Sequence, residues 1–140
     1  MTLSLRTPRA PCPLACAGDV FMKPNVLMVE DEAYLAMALE DLLTDAGYHV
    51  LGAARLSDAL EIADHEHVDA ALLDINLHGE AVYPLATYLR ENGVPFAFAS
   101  AYSRDTLPKD FHDCELVRKP YTSERIIEAV ESMMERTRPH

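Results

Sequence analysis

The sequence predicts an α/β protein built on a doubly wound, five-stranded parallel sheet. One observation is a set of short, continuously apolar runs such as Val26-Leu27-Met28-Val29, which are typical of strands buried on both faces of a sheet. The other is that segments with apolar residues at helical spacing alternate with these runs. Such alternation predicts parallel strands joined by right-handed helical crossovers, with helices on both faces of the sheet.

The strands are expected where apolar or β-branched residues run for four to six positions between turn-forming residues. They are predicted at residues 26–29, 48–53, 68–73, 95–99 and 114–118.

The helices are expected between these strands. They are predicted after residue 32 up to Gly47, and at residues 56–65, 81–92 and 123–136. Gly47 and Gly93 are placed to end the helices before them. Residues 102–113 are polar and interrupted by Pro108, so a short helix and an irregular loop are both compatible with this stretch.

Length and charge restrict the class of protein. The 140 residues and 49% apolar content fit one domain, expected at residues 24–136 between a disordered, Pro-rich leader (1–23) and a frayed tail (137–140). The net charge of −11 argues against nucleic acid and anionic lipid as partners, because both are polyanions. No apolar run approaches the roughly 18–20 residues of a membrane span. Three cysteines without metal-ligand spacing fit a reducing cytoplasm.

Polar residues follow several of the predicted strands. They are Glu30-Asp31 after the first strand, Asp74 after the third, Ser100 after the fourth and Lys119-Pro120 after the fifth. In an open parallel sheet, ligands bind beyond the carboxyl ends of the strands. These side chains are therefore expected to converge on one edge of the sheet.

Three neighbouring carboxylates repel one another and do not all stay ionised without a cation. Mg²⁺ prefers oxygen ligands and retains positions for phosphate oxygens, so it is the cofactor that the set predicts. Asp74 is then a candidate nucleophile toward phosphorus. Lys119 and the Ser100 hydroxyl are candidates to hold the phosphoryl oxygens.

Four segments of the chain resemble the receiver domain of bacterial two-component response regulators, a flavodoxin-like (βα)5 fold. The segments are Val26-Leu27-Met28-Val29-Glu30-Asp31-Glu32, Leu72-Leu73-Asp74-Ile75-Asn76-Leu77, Ser100-Ala101 and Lys119-Pro120. The resemblance covers about residues 24–136.

The resemblance implies a role for each matching residue. Asp74 would accept a phosphoryl group from the phosphohistidine of a sensor histidine kinase. Glu30, Asp31 and Asp74 would bind Mg²⁺ together with the backbone carbonyl of Asn76. The positions of Ser100 and Lys119 would contact the phosphoryl oxygens.

The chain also departs from the usual receiver pattern. Leu116 stands where the family usually has an aromatic switch residue in the last strand. Residues 95–102 resemble a subfamily with a Phe-Ala-Thr-Gly-Tyr signature, often single-domain regulators paired with HWE-type kinases. Here Ser100 and Ala101 replace the Thr and Gly of that signature. We therefore expect Tyr102 to be the aromatic residue that reports phosphorylation.

Two other functions on the same architecture fit the residues less well. A flavodoxin-like cofactor binder needs a hydroxyl- and Gly-rich loop after the first strand, where this chain has Glu30-Asp31-Glu32. An aspartate-nucleophile phosphohydrolase normally has a second Asp two residues after the nucleophile, where this chain has Asn76.

The function expected from the sequence is that of a stand-alone receiver that signals by protein–protein contact. It would serve as a phosphorelay component, a phosphate sink or a switch, and catalyse only its own phosphorylation and dephosphorylation. Its partners would be a sensor kinase or phosphotransfer protein and a downstream protein target. The alternative is an adaptor that binds its target without phosphorylation, which the substitutions at Ser100 and Leu116 keep open.

Overall fold

The computed structural model describes residues 23–77, 79–101 and 104–137. Apart from residues 23 and 137, the predicted leader and tail lie outside the described residues, as does Tyr102. In chain order the strands are β1 (Asn25–Val29), β2 (His49–Ala53), β3 (Ala70–Asp74), β4 (Asn76–Leu77), β5 (Glu80–Ala81), β6 (Phe96–Ser100) and β7 (Glu115–Arg118). The helices are α1 (Ala33–Asp45), α2 (Leu56–His65), α3 (Tyr83–Glu91) and α4 (Ser123–Thr137).

Five strands form one parallel sheet in the order β2-β1-β3-β6-β7. The chain runs outward from β1 to β2, and then returns to the other side of β1 for β3, β6 and β7. The predicted doubly wound parallel sheet is therefore confirmed. The reversal of strand order lies between β1 and β3, which is where sheets of this kind bind their ligands.

The central strands are buried on both faces, which explains their continuous apolar runs. In β1, Leu27 and Val29 belong to the core cluster that includes residues of α2 and α3. Val26 and Met28 belong to the opposite cluster, which includes residues of α1 and α4. Side chains alternate along a strand, so each strand contributes to two separate cores.

Helix boundaries follow local signals in most places. Gly47 has a φ of +101°, a left-handed conformation that favours glycine, and it ends the segment of α1. The Thr122 hydroxyl accepts the backbone N–H of Arg125 at 3.1 Å and so caps the start of α4. Helix α3 begins later than the predicted residue 81, because Glu80–Ala81 pairs with Asn76–Leu77 in a small antiparallel hairpin.

The largest difference from the predicted (βα)5 pattern lies between β6 and β7. The described part of this connection contains two short 3₁₀ turns, Arg104–Thr106 and Lys109–Phe111, in place of an α-helix. Phe111 holds the second turn against the core: its ring stacks on Tyr83 at 5.5 Å and meets Phe98 edge-on at 5.5 Å. The aromatic contacts fix this segment, and Pro108 stands between the two turns.

Candidate functional site

The four predicted polar segments lie at the ends of four adjacent strands. Glu30 continues β1, since its N–H donates to the carbonyl of Ala53 at 3.0 Å. Asp74 is the last residue of β3, Ser100 is the last residue of β6, and Lys119 directly follows β7. Because β1, β3, β6 and β7 are consecutive in the sheet, these residues share its carboxyl edge.

Three carboxylates crowd together at this edge. Oxygen atoms of Glu30, Asp31 and Asp74 all lie within 4.8 Å of one another. Glu30 and Asp74 are only 4% and 8% exposed, whereas Asp31 is partly exposed. The backbone N–H of Glu32 donates to Glu30 Oε2 at 3.2 Å and helps to hold that carboxylate in place. Two buried acids and a third at the rim thus form a cup of oxygen ligands.

Lys119 brings a positive charge to the same carboxylates. Its Nζ lies 3.4 Å from Asp74 Oδ2 and 3.6 Å from Glu30 Oε1. The backbone N–H of Lys119 donates to the carbonyl of Ser100 at 2.8 Å, which connects the ends of β7 and β6. Ser100 is 5% exposed. The ammonium and the residue bearing the hydroxyl are therefore positioned by neighbouring strands.

Burial and mutual repulsion disfavour full ionisation of the carboxylates at this edge. Burial, and then the nearby charge of Asp74, raise the pKa of Glu30 from 4.5 to about 7. Burial also raises the pKa of Asp74, although Lys119 acts in the opposite direction. One ammonium does not offset the cost of several crowded and buried carboxylates. A hard divalent cation fits this set of oxygen donors, because its charge would let all of them ionise.

Two predicted site residues are only partly described. The backbone of Asn76 lies in β4, paired with Ala81, two residues beyond Asp74, and its side chain is outside the described set. Tyr102, the predicted switch residue, lies wholly outside the described residues. Leu116 is buried in the core, at the strand position where the family usually has an aromatic residue.

Tyr121 is a residue at the site that the sequence analysis missed. It is half-buried, its hydroxyl is fully buried, and that hydroxyl has no hydrogen-bond partner among the residues that the structure describes. Burial and the charges of Glu30, Asp74 and Glu32 raise the pKa of Tyr121. A polar-tipped aromatic directly after Lys119-Pro120 was the only signal for it in the sequence.

The assembled groups suit the chemistry of phosphoryl groups. The set holds three carboxylates that could bind a divalent ion, with an ammonium beside the carboxylate of Asp74. Within the described ranges, every helix falls short of the length and apolar content that a membrane span requires.

Comparisons with known proteins agree with this geometry. Among curated proteins, the chain is 26% identical over 126 residues to "Transcriptional regulatory protein PdtaR" of Mycobacterium tuberculosis, covering 86% of this chain and 62% of that protein. The chain thus spans less than two thirds of the length of this relative. Among solved structures, SdrG from Sphingomonas melonis Fr1 is 33% identical, with a TM-score of 0.70 over 80% of this chain and 97% of SdrG.

A second solved structure, the chemotaxis response regulator CheY4 of Vibrio cholerae, is 19% identical and has a TM-score of 0.72, covering 80% of this chain and 99% of CheY4. At that identity the likeness shows the shared fold. The family model of the response regulator receiver domain matches residues 26–131, which include Glu30, Asp31, Asp74, Ser100 and Lys119. The chain therefore belongs to the response regulator receiver domain family.

Proposed function

We propose that Asp74 accepts a phosphoryl group from a phosphohistidine of a sensor histidine kinase, in a Mg²⁺-dependent reaction, and that the chain signals by protein–protein contact. Receiver domains are in general signalling modules of two-component systems. The observation that carries the proposal is the cup of three carboxylates within 4.8 Å, with Lys119 Nζ 3.4 Å from Asp74. The crowding of buried carboxylates destabilises the folded protein when no cation is bound, and the same carboxylates provide ligands when a cation binds.

The ion-binding part of the proposal assigns Mg²⁺ to the carboxylates of Glu30, Asp31 and Asp74 and to the backbone carbonyl of Asn76. Burial and the nearby charge of Asp74 raise the pKa of Glu30 to about 7, and a bound cation would offset both effects, which supports this assignment. When bound, Mg²⁺ supplies neutralising charge and orients the phosphoryl oxygens.

The protein's own groups perform the transfer in this proposal. A carboxylate oxygen of Asp74 forms the new O–P bond while the P–N bond to the donor imidazole breaks, and the imidazole nitrogen retains the bonding electron pair. Lys119 stabilises the negative charge on the phosphoryl oxygens, and the Ser100 hydroxyl donates a hydrogen bond to one of them. The burial of Asp74 excludes competing water from one side of the acceptor.

The output side of the proposal is a cytoplasmic receiver that acts through protein partners. A kinase, in the subfamily interpretation one of the HWE type, or a phosphotransfer protein supplies the phosphoryl group. A downstream protein reads the phosphorylated state, and Tyr102 is the residue that reports it. The net charge of −11 supports protein partners over nucleic acid or an anionic membrane.

Intact mass spectrometry after incubation with acetyl phosphate and Mg²⁺ tests the acceptor. The wild type is expected to gain one phosphoryl group, and Asp74→Asn is expected to gain none, because an amide does not attack phosphorus as a carboxylate does. Asp58→Asn is the matched control: Asp58 is exposed in the first turn of α2, and its variant should be phosphorylated like the wild type.

Two outcomes would contradict the proposal. An equal adduct on Asp74→Asn would place the phosphoryl group on another residue. The absence of an adduct on the folded wild type with acetyl phosphate and with phosphorylated sensor kinases would support the phosphorylation-independent adaptor.

A further inference from the structure

Tyr121 lies at the start of the connection from β7 to α4, two residues after Lys119. Its ring packs against the core cluster that holds Val26 and Met28 of β1. Its hydroxyl is fully buried and has no partner within the described part of the chain. A buried hydroxyl that makes no hydrogen bond is destabilising, because it has lost its bonds to water without replacement.

The alternation of side chains places the site on the same face of the sheet as Tyr121. Val26 and Met28 belong to the cluster that contacts the Tyr121 ring, and Glu30 follows them at the same two-residue spacing. On β3, Ala70 and Leu72 belong to this cluster as well, and Asp74 continues their series. Tyr121 thus packs against a core layer that continues, on β1 and β3, to the buried carboxylates Glu30 and Asp74.

The charges around the hydroxyl identify what it would bind. Burial first, and then the charges of Glu30, Asp74 and Glu32, raise the pKa of Tyr121, so these carboxylates are the negative groups near its hydroxyl. In the described part of the chain, the Glu32 N–H donates to Glu30 Oε2 at 3.2 Å, and the Lys119 ammonium forms an ion pair with Oε1 at 3.6 Å, beyond hydrogen-bond distance. A Glu30 carboxylate that helps to bind a divalent ion would be held more firmly by one more donor, and a phenol hydroxyl supplies it.

We propose that Tyr121 is a positioning residue whose hydroxyl donates a hydrogen bond to the Glu30 carboxylate, directly or through one water, when a divalent cation occupies the site. This inference rests on the proposed function. It accounts for a tyrosine, with its polar tip, at the end of this core layer, where the hydroxyl has no partner among the described residues. Tyr121 thereby contributes to ion affinity and not to the stability of the metal-free protein.

The test compares Mg²⁺ affinity in the wild type, Tyr121→Phe and Tyr88→Phe by isothermal titration calorimetry. Tyr121→Phe removes one oxygen, and it should bind Mg²⁺ about tenfold more weakly, the effect of losing one hydrogen bond to a charged group. Its metal-free melting temperature should equal or exceed that of the wild type, because an unsatisfied buried group is gone. Tyr88→Phe is the control: its hydroxyl contacts Asp64 on α2 at 3.1 Å, away from the carboxyl edge, and its Mg²⁺ affinity should stay unchanged.

Equal Mg²⁺ affinity in Tyr121→Phe and the wild type would overturn the inference and leave the proposed function intact. A wild type that binds no Mg²⁺ would overturn both. A second measurement needs no variant: the chain has six Tyr and no Trp, so its near-ultraviolet spectrum reports mainly on tyrosine. Addition of Mg²⁺ should shift the tyrosine absorption to the red as a hydroxyl becomes a donor, and an unchanged spectrum would contradict the inference.

Discussion

Two aspartates flank the central strand β3, and their surroundings are opposite. Asp69, directly before the strand, accepts the backbone N–H of Asn25 at 2.8 Å and pairs with His67 Nε2 at 2.8 Å. Asp74, at the other end, has its carboxylate beside that of Glu30, and burial raises its pKa. Its cation, Lys119, stays 3.4 Å away.

The difference separates the edge whose polar groups support the fold from the edge at which we propose that ligands bind. At the amino edge, polar groups meet complementary partners: Asn25 also donates to the carbonyl of His67 at 2.6 Å and contacts His49 at 2.9 Å. At the carboxyl edge, like charges are held together by the strands that carry them. Local conflict of this kind is typical of functional sites, where a ligand resolves it. Substitutions at the two edges test whether they differ in this way.

The largest effect is expected from removing the cation of the carboxyl edge. Lys119→Gln should slow phosphoryl uptake by Asp74 about 10²-fold, because the ammonium beside the acceptor no longer stabilises charge on the phosphoryl oxygens. The initial rate of adduct formation with acetyl phosphate measures this. Lys109→Gln, at an exposed lysine of the second 3₁₀ turn, is the control and should react like the wild type. Equal rates for the two variants would exclude Lys119 from the transfer.

A smaller effect, on stability, is expected from Glu30. Its pKa is about 7 in the folded protein against an ordinary 4.5, so between these values the folded state binds more protons than the unfolded state. The stability of the metal-free wild type should therefore fall as the pH rises from 4.5 to 7. Glu30→Gln removes this loss. Just above pH 7 it should be more stable than the wild type by on the order of 2 kcal/mol, and near pH 4.5 the advantage should vanish.

Urea unfolding of the metal-free proteins at several pH values measures this difference. The control is Glu40→Gln, at an exposed position of α1, which should follow the wild type. Saturating Mg²⁺ should stabilise the wild type more than Glu30→Gln, because ligand binding stabilises the folded state in proportion to affinity. A Glu30→Gln protein that is less stable than the wild type above pH 7 without metal would show that the crowding has no energetic cost.

The smallest effects are expected from a matched pair of substitutions at the two ends of β3, and they should differ in sign. Asp69→Asn weakens two contacts and should lower the free energy of unfolding by about 1 kcal/mol. Asp74→Asn removes a crowded charge and should raise the melting temperature of the metal-free protein at neutral pH. Thermal unfolding of both proteins in a chelating buffer measures the two shifts. Shifts of the same sign would mean that the edges do not differ.

The sheet and the position of the site were predictable because both depend on short-range patterns. The run Val26-Leu27-Met28-Val29 indicates a strand buried on both faces, and the two core clusters divide its residues alternately. Parallel strands share a carboxyl edge, so Glu30, Asp74 and Lys119 could be expected to meet before any coordinates were known.

Other features depend on contacts between distant residues. The connection between β6 and β7 forms 3₁₀ turns, and Phe111 stacks there on Tyr83, 28 positions earlier in the chain. No local sequence pattern predicts that ring contact. The role inferred for Tyr121 could not be predicted from the sequence either. Whether a hydroxyl has a hydrogen-bond partner depends on the groups that surround it in three dimensions.

The most direct test of the central claim is to identify the phosphorylated residue. Borohydride reduces an aspartyl phosphate to homoserine, and peptide mass spectrometry locates the homoserine. After treatment with acetyl phosphate and Mg²⁺, homoserine is expected at position 74 in the wild type, and none is expected when a chelator replaces Mg²⁺. Homoserine at another aspartate, or the same yield at position 74 with and without Mg²⁺, would contradict the claim that the crowded carboxyl edge is an ion-dependent phosphoacceptor site.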